Sequence, residues 1–193
     1  MATLAEDEAT RASTNGTLRA IAMPIHMLTF NIAAEQFVDA YYNTLSSARH
    51  QISSYYMPMN VLPTGRTLPL ITYNGQQISD PQVFQTTYQE QMPFTYFEVQ
   101  SLNAHVMNPS LTPIEPANNK GKGKVKELEN NMSLLVQVSG YVRLVERREG
   151  PMRGFSDTFT LVPNKETVGA KGTGKTGEGR AWVIQSQNFR FVV

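Results

Sequence analysis

The sequence predicts an α+β fold, with helices packed on one face of a strongly curved antiparallel sheet. Helical segments come first, then a hairpin and a further short helix, and from Thr95 onward the apolar residues alternate instead of recurring at helical spacing. Four long strands then follow one another. Helices that precede a run of long strands are typical of α+β proteins, in which the helices lie together against the sheet.

The first two helices are predicted from periodicity and from residues that end helices. Apolar residues at helical spacing predict a helix over Asn31–Ala48, with Asn31 as a plausible N-cap. Its apolar stripe is Phe37, Tyr41, Leu45 and Ala48. A second short helix over Arg49–Met57 ends before Pro58, because the residue that precedes a proline is pushed out of the helical region.

A hairpin and a third helix follow. Asn74-Gly75 separates two apolar stretches within Leu68–Ser79, and this dipeptide is the strongest short-range hairpin signal. Asp80 and Pro81 then provide an N-cap and a first-turn proline for a helix that ends before Pro93.

Four long strands complete the chain: Thr95–Met107, Met132–Glu146, Gly154–Val162 and Ala181–Val193. The last strand has apolar and polar residues on both faces, with Phe189 and Phe191 on one and Trp182 and Ile184 on the other. A strand between core and water alternates more cleanly than this. We therefore expect one face of the sheet to pack on the helices and the other face to pack on something else.

Composition is that of one globular domain. The chain has 193 residues, of which 40% are hydrophobic and 17% charged, and its net charge of +1 favours neither acidic nor basic partners. We expect residues 1–20 to be disordered and residues 21–193 to form a single domain. A polar, mobile insert is predicted at 108–131, and a Gly- and Lys-rich loop at 163–180.

Several functional classes are disfavoured by the composition. The absence of cysteine removes disulfides, thiolate metal sites and cysteine nucleophiles. The first residues are acidic and lack the apolar core of a signal peptide. The apolar stretch Ile21–Phe30 contains Pro24 and His26 and is too short to cross a bilayer. We expect a soluble intracellular protein with no membrane partner.

One motif looks like a nucleotide site. Gly169–Thr176 fits the P-loop pattern G-x-x-x-x-G-K-[ST], whose chemistry needs a preceding strand and a following helix. Here a strand follows, and too little chain remains for a parallel α/β sheet. We interpret the motif as a hairpin loop, and we expect no nucleotide or other cofactor.

Lysines are concentrated in the insert and in the late loop: Lys120, Lys122, Lys124, Lys126, Lys171 and Lys175. Such runs are usually solvated surface. The alternative is an electrostatic contact to RNA phosphates, whose affinity would fall steeply with salt.

No catalytic or metal constellation emerges. His26, His50 and His105 are far apart and lack metal-ligand spacing. A cup-shaped α+β fold can place an acid/base pair in its cavity. The candidate residues for such a pair are Asp39, Tyr41, Tyr55 and Asp157. Their spacing selects no pair, so a cavity enzyme stays only as an alternative hypothesis.

Four segments resemble a known family in the order in which they occur. Phe37–Leu45 (F-V-D-A-Y-Y-N-T-L), Val138–Leu144 (V-S-G-Y-V-R-L), Phe155–Leu161 (F-S-D-T-F-T-L) and Trp182–Phe191 (W-V-I-Q-S-Q-N-F-R-F) are similar to nuclear transport factor two-like proteins. The resemblance spans roughly residues 32–193 and implies a cone of helices against a bent sheet. The last segment is the most specific, and is close to the ending of the small subunit of the nuclear RNA export receptor. The lysine-bearing insert resembles the fungal version, the messenger-RNA transport regulators of the Mtr type.

The resemblance implies a function and partners. It implies a non-enzymatic subunit that pairs sheet to sheet with the large subunit of the mRNA export receptor. The heterodimer would carry RNA or ribonucleoprotein, ribosomal subunits included, through nuclear pores by contacts with Phe-Gly nucleoporins, and would shuttle between nucleus and cytoplasm. A homodimeric carrier of the same fold is the alternative. Gln187 disfavours it, because the transport factor itself has an acidic residue there for its small GTPase partner.

The predicted interface combines the resemblance with the mixed polarity of the strands. Its residues are Gln137, Tyr141, Arg143, Thr158, Thr160, Ile184, Ser186, Asn188 and Arg190. Mixed aromatic, arginine and small polar residues are typical of an interface core. Arg190 matches the family position that pairs with an acidic residue of the large subunit; an exposed edge arginine is the alternative.

Overall fold

The computed structural model describes residues 25–107, 132–165 and 180–192. The helices are α1 (Ile25–Ser47), a 3-10 helix (Arg49–Tyr55) and α2 (Pro81–Glu90). The strands are β1 (Asn60–Val61), β2 (Thr67–Leu68), β3 (Leu70–Tyr73), β4 (Gln76–Ile78), β5 (Thr95–Met107), β6 (Ser133–Leu144), β7 (Met152–Pro163) and β8 (Trp182–Val192). The predicted N-terminal segment, the insert at 108–131 and the P-loop-like stretch lie outside the described residues.

Six strands form one sheet in the order β4-β3-β8-β7-β6-β5, and β1 and β2 form a separate pair. All neighbours in the large sheet are antiparallel except β3 and β8, which run parallel. The helices pack on one face of this sheet, so the predicted α+β architecture is confirmed. Among the described helices, none is long and apolar enough to cross a membrane.

The helical prediction was wrong at two boundaries. The helix predicted to begin at Asn31 begins six residues earlier, at Ile25, and Asn31 is an interior residue. The stretch from Ile25 to Phe30 contains no glycine or proline, so nothing in it stops the helix from extending backwards. The second predicted helix is a 3-10 helix over Arg49–Tyr55, so it ends two residues before the predicted end at Met57.

The hairpin and the start of α2 are as predicted. Asn74 and Gly75 have φ angles of 48° and 86°, which is the left-handed backbone that a two-residue type I′ turn requires. The Asp80 side chain accepts a hydrogen bond from the backbone N–H of Gln82 at 2.6 Å, and Pro81 opens the helix. The turn and the cap therefore set the direction in which α2 leaves the sheet.

Aromatic rings fill the space between α1 and the sheet. The Tyr41 ring lies 5.4 Å from Phe159 of β7, and the Tyr42 ring lies 4.8 Å from Phe97 of β5. Tyr41 and Phe159 are wholly buried. The first pair is edge-to-face and the second is tilted. Aromatic pairs at these distances stabilise a core beyond the area that they bury, by about 0.5–1.5 kcal/mol each.

Two bulges bend the long strands. Gln100 is an extra residue in β5 opposite Gly140, and Gln185 is an extra residue in β8, because Thr160 pairs with Ser186 and the next residue of β7 pairs with Ile184. A bulge bends its strand and increases the local twist. At Gly140, a Cβ atom would lie 2.0 Å from the backbone oxygen of Glu98. The bulged strand can therefore approach β6 only where β6 has glycine.

Replacing Gly140 with alanine should destabilise the fold by roughly 3 kcal/mol, because backbone must move to admit the methyl group. The matched control is Gly154→Ala in β7, where the nearest atom to a new Cβ is at 3.4 Å. We expect the control to change stability by less than about 1 kcal/mol. Urea denaturation of both variants measures the difference, and equal stabilities would contradict the account of the bulge.

Candidate partner-binding face of the sheet

The sheet has a second face, opposite the helices, whose residues follow from the pairing register. Residues directly opposite each other on paired strands share a face. We call this surface the open face. Its rows are His105, Leu135, Thr160, Ser186 and Leu70; Asn103, Gln137, Thr158, Asn188, Thr72 and Gln77; Ser101, Ser139, Ser156 and Arg190; Glu98, Tyr141, Gly154 and Val192; and Tyr96, Arg143 and Met152. Each of these residues is at least partly exposed.

Eight of the nine residues predicted for the interface lie on the open face. The exception is Ile184, which is wholly buried and belongs to the core between sheet and helices. The bulge at Gln185 reverses the alternation of β8 at this point, so Ile184 faces the same side as Leu161 of β7. The prediction that Ile184 faces a partner was therefore wrong.

Apolar side chains and small residues alternate on the open face. Tyr141, Met152 and Val192 are 45%, 51% and 54% exposed, and Gly154 lies between Tyr141 and Val192 in the same row. Gly154 leaves a gap between them. Exposed aromatic and apolar groups around a gap form a surface into which another protein's side chains can fit.

Positive charge lies at the centre of the open face. Arg190 is exposed and pairs across the strands with Ser156 of β7, so a small side chain lies opposite it. Arg143 is half-buried beside Met152. An arginine among small residues presents its planar guanidinium to a carboxylate in the two-bond geometry that favours recognition.

Beneath the open face lies a cluster of buried polar groups, formed by Tyr41, Tyr42, Tyr56, Asp157 and Gln187. The Gln187 amide oxygen accepts hydrogen bonds from the hydroxyls of Tyr41, at 3.0 Å, and Tyr56. The Gln187 amide nitrogen donates to Asp157 Oδ2 at 2.8 Å, and Tyr42 donates to the same oxygen at 3.2 Å. We call this set the buried cluster. It joins α1 and the segment after the 3-10 helix to the two central strands.

The carboxyl group of Asp157 keeps its proton to a higher pH than an ordinary aspartic acid. Burial raises the pKa of Asp157 from 3.8 to about 7, and the hydrogen bonds from Gln187 and Tyr42 oppose the rise. Its Oδ1 atom has no hydrogen-bond partner among the described residues. Burial also raises the pKa of Tyr41 and Tyr56 well above 10, so both hydroxyls stay protonated as donors.

The candidate residues for a cavity enzyme are not brought together around a cavity. Asp39 is exposed on α1, on the outside of the helix. Tyr55 is buried, and its hydroxyl donates to the backbone oxygen of Ala40 at 3.0 Å. Tyr41 and Asp157 both belong to the buried cluster, where Gln187 separates them. Aromatic rings surround this cluster, so the groups lie in packed core.

Histidines and metal ligands add no site to the described part of the chain. His50 and His105 are exposed, and they lie on different elements. The described residues contain no group of three acidic, histidine or cysteine side chains that could hold a metal ion. The lysines of the predicted RNA contact lie outside the described residues.

The part of the open face that β5 contributes was not predicted from the sequence. Glu98 and Asn103 lie beside Tyr141 and Gln137 in the rows given above. The bulge at Gln100 shifts the alternation of β5 halfway along the strand. The only signal for it was Gly140 on the neighbouring strand, which could not be paired with Gln100 before the register was known.

Comparisons with known proteins agree with the fold. No protein-family model matches the chain, and no curated protein sequence matches it. Among solved structures, a chain in "Sac3N peptide bound to Mex67:Mtr2" is 22% identical with a TM-score of 0.62, covering 84% of this chain and 98% of that one. "Structure of Mtr2" is 21% identical with a TM-score of 0.59, covering 83% and 98%.

A third structure is the Mex67 NTF2-like domain of Chaetomium thermophilum in complex with Mtr2. The matched chain is 23% identical with a TM-score of 0.62, covering 84% of this chain and 98% of that one. At these identities the likeness defines the fold. The chain has the nuclear transport factor two-like fold, in the form seen in these Mtr2 structures.

Stability should fall as the pH rises from about 4 to about 7. The folded state retains the Asp157 proton to a higher pH than the unfolded chain, so the favourable contribution is complete below the unfolded pKa and is lost as the pH reaches the folded one. A shift from 3.8 to about 7 corresponds to a loss of up to about 4 kcal/mol. Asp157→Asn removes this titration, so its unfolding free energy should lack that fall.

Urea denaturation at several pH values, in wild type and variant, measures this effect. Asp39→Asn, on the exposed side of α1, is the matched control and should follow the wild-type curve. Parallel pH profiles for wild type and Asp157→Asn would show that Asp157 does not titrate in this range.

Proposed function

We propose that this chain is the non-enzymatic small subunit of a heterodimeric nuclear mRNA export receptor. It pairs through the open face with the nuclear transport factor two-like domain of a large subunit. The observation that carries the proposal is the open face itself, an exposed sheet surface with apolar and arginine side chains on a fold shared with structures of Mtr2. Two of the similar structures are of complexes that contain both Mex67 and Mtr2.

The open face has the composition of a heteromeric interface. Tyr141 and Arg190 are residue types that dominate binding energy, and the surrounding serines and threonines are small enough to admit a partner's side chains. Arg190 needs an acidic partner, which a large subunit would supply. The open face also carries Glu98, so a second copy of this chain stays as the alternative partner.

The hydrogen bonding and packing of the buried cluster disfavour catalysis by its residues. The groups of the buried cluster are hydrogen-bonded to one another and surrounded by rings, which leaves their reactive atoms out of reach of a substrate. An active site needs a concave pocket in which such groups converge. The role that we propose is therefore binding, with passage through nuclear pores carried out by the heterodimer, by transient contacts with Phe-Gly nucleoporins. Its cargo is mRNA and ribonucleoprotein, ribosomal subunits included.

Light scattering of the purified chain, alone and mixed with a candidate large subunit, tests this proposal. We expect a one-to-one heterodimer, and a higher melting temperature for the chain in the mixture, because binding to the folded state stabilises it. Arg190→Glu should then weaken the heterodimer at least about 100-fold in a calorimetric titration, since breaking a buried ion pair costs about 3–5 kcal/mol.

Arg148→Glu is the matched control for this charge reversal. Arg148 is exposed in the turn between β6 and β7, outside the rows of the open face, and its reversal should leave affinity unchanged. Equal affinities of wild type and Arg190→Glu for the large subunit would show that Arg190 does not lie in the interface. A clean homodimer that ignores the large subunit would overturn the proposal in favour of the homodimeric carrier.

We further propose that Lys120, Lys122, Lys124, Lys126, Lys171 and Lys175 add non-specific RNA affinity. A contact with several phosphates releases counterions, so the logarithm of the affinity falls with the logarithm of salt concentration. Replacing these six lysines with serine should flatten that slope in filter-binding assays of the heterodimer with a single-stranded RNA. An unchanged slope would refute the RNA contact and leave a solvated loop.

A further inference from the structure

The chain leaves the large sheet and returns to it beside the open face. The backbone N–H of Met57 donates to the backbone oxygen of Ile184 in β8 at 3.0 Å, and Leu70 pairs with Ser186 in the same strand. Between these two contacts, residues 58–69 contain the separate β1–β2 pair. We call residues 58–69 the arm. Its base is therefore attached next to Ser186, a residue of the open face.

The arm exposes two large apolar side chains. Met59 is 53% exposed and Val61 is 65% exposed, whereas Leu68, near the base of the arm, is buried. Each strand of the arm has only two residues, and a two-stranded ribbon is marginally stable on its own. A single apolar residue on a surface is ordinary, but apolar residues grouped beside a larger mixed surface are typical of protein–protein interfaces.

A groove joins the arm to the open face. Its volume is about 560 Å³, and Met59, Arg66 and Thr67 of the arm line it together with Leu70 and Gln77. The remaining lining residues are Gly65, Pro69, Ile78 and Ser79. The pairing register places Leu70 and Gln77 on the open face. Because β3 lies beside β8, at a strand spacing of about 4.8 Å, a protein that covers β8 also reaches the groove.

The arm adds to the positive charge of the open face. Arg66 is the charged residue of the arm, it is exposed, and the described residues provide its guanidinium with neither an ion pair nor a hydrogen bond. The rows of the open face contribute Arg143 and Arg190, against Glu98 as their acid. A complementary partner therefore has an excess of acidic residues around the apolar groups that it buries.

We propose that the arm is a second binding element for the large subunit, beside the sheet face. Met59 and Val61 pack on the large subunit, one of its apolar side chains fills the groove, and one of its acidic residues meets Arg66. This inference rests on the proposed function, because it assigns the same partner to an adjoining surface. Contacts outside the flat sheet add specificity, since two sheet faces alone offer little relief by which to select a partner.

Calorimetric titration of the chain with a candidate large subunit tests the apolar contact. The double variant Met59→Thr/Val61→Thr should lose at least about tenfold in affinity. Both side chains are exposed in the free chain, so the urea midpoint of the free variant should equal that of wild type. Val83→Thr is the matched control, because Val83 is 52% exposed on α2, on the other side of the sheet. Its affinity should equal that of wild type.

Binding kinetics separate the charged contact from the apolar one. Arg66→Glu should lower the association rate constant, and the effect should shrink as the salt concentration rises, because a charge at the rim of an interface acts mainly on encounter. The double variant Met59→Thr/Val61→Thr should instead raise the dissociation rate constant. An association rate that Arg66→Glu leaves unchanged at low salt would contradict the charge complementarity.

Hydrogen exchange of the wild-type chain needs no substitution. Backbone amides within residues 58–69 should exchange more slowly in the heterodimer than in the free chain, because the partner covers the arm. Unchanged exchange there would overturn the proposal even if the variants failed to fold.

The outcomes distinguish this inference from the proposed function. A heterodimer that Arg190→Glu weakens but the double variant does not would overturn the role of the arm and leave the proposed function intact. Equal losses for the double variant and Val83→Thr would also overturn the role of the arm. Absence of a heterodimer in wild type would overturn the proposed function. A homodimer of the chain that the double variant weakens would assign the arm to a second copy and overturn the proposal.

Discussion

The amide of Gln187 is the contact on which the interior of this protein depends. One end of the amide accepts hydrogen bonds from Tyr41 of α1 and from Tyr56, and the other end donates to Asp157 of the neighbouring strand. A carboxylic acid and three tyrosine hydroxyls are thereby accommodated in an aromatic core, where an unpaired polar group would cost about 1–3 kcal/mol. Because the network is shared among helix, turn and sheet, it allows one arrangement of those elements and disfavours others.

The two central strands separate this interior from the open face by the alternation of their side chains alone. Asp157 and Gln187 face the helices, whereas Ser156, Thr158 and Asn188, their neighbours in sequence, face outward. The same strands that hold the core thereby present the open face. The bulge at Gln185 ends this alternation, so the Ile184 side chain faces the helices. The backbone oxygen of Ile184 accepts a hydrogen bond from the backbone N–H of Met57.

The sequence predicted the elements well and the facing of some residues poorly, and the reason is physical. Periodicity and turn chemistry are local, so the hairpin at Asn74-Gly75 and the strand over Thr95–Met107 could be recognised without a structure. Bulges depend on the register between strands, so Ile184 was assigned to the wrong face. Arg49 is a further case, since it donates to the backbone oxygens of Met92 and Pro93, more than forty residues away. No local pattern in the sequence indicates a contact of this length.

The ionisation of Asp157 and the binding of a partner to the folded chain both change the stability of the fold, in opposite directions. Asp157 destabilises the fold when it ionises near neutral pH, because its charge is desolvated and Oδ1 lacks a partner among the described residues. A chain that folds only as a monomer would bear this loss of stability alone. A partner that binds the folded state adds stability in proportion to the logarithm of its concentration over its Kd. A subunit that is paired with a tight partner therefore tolerates a costly interior group, and an unpaired subunit is the form in which Asp157 matters most.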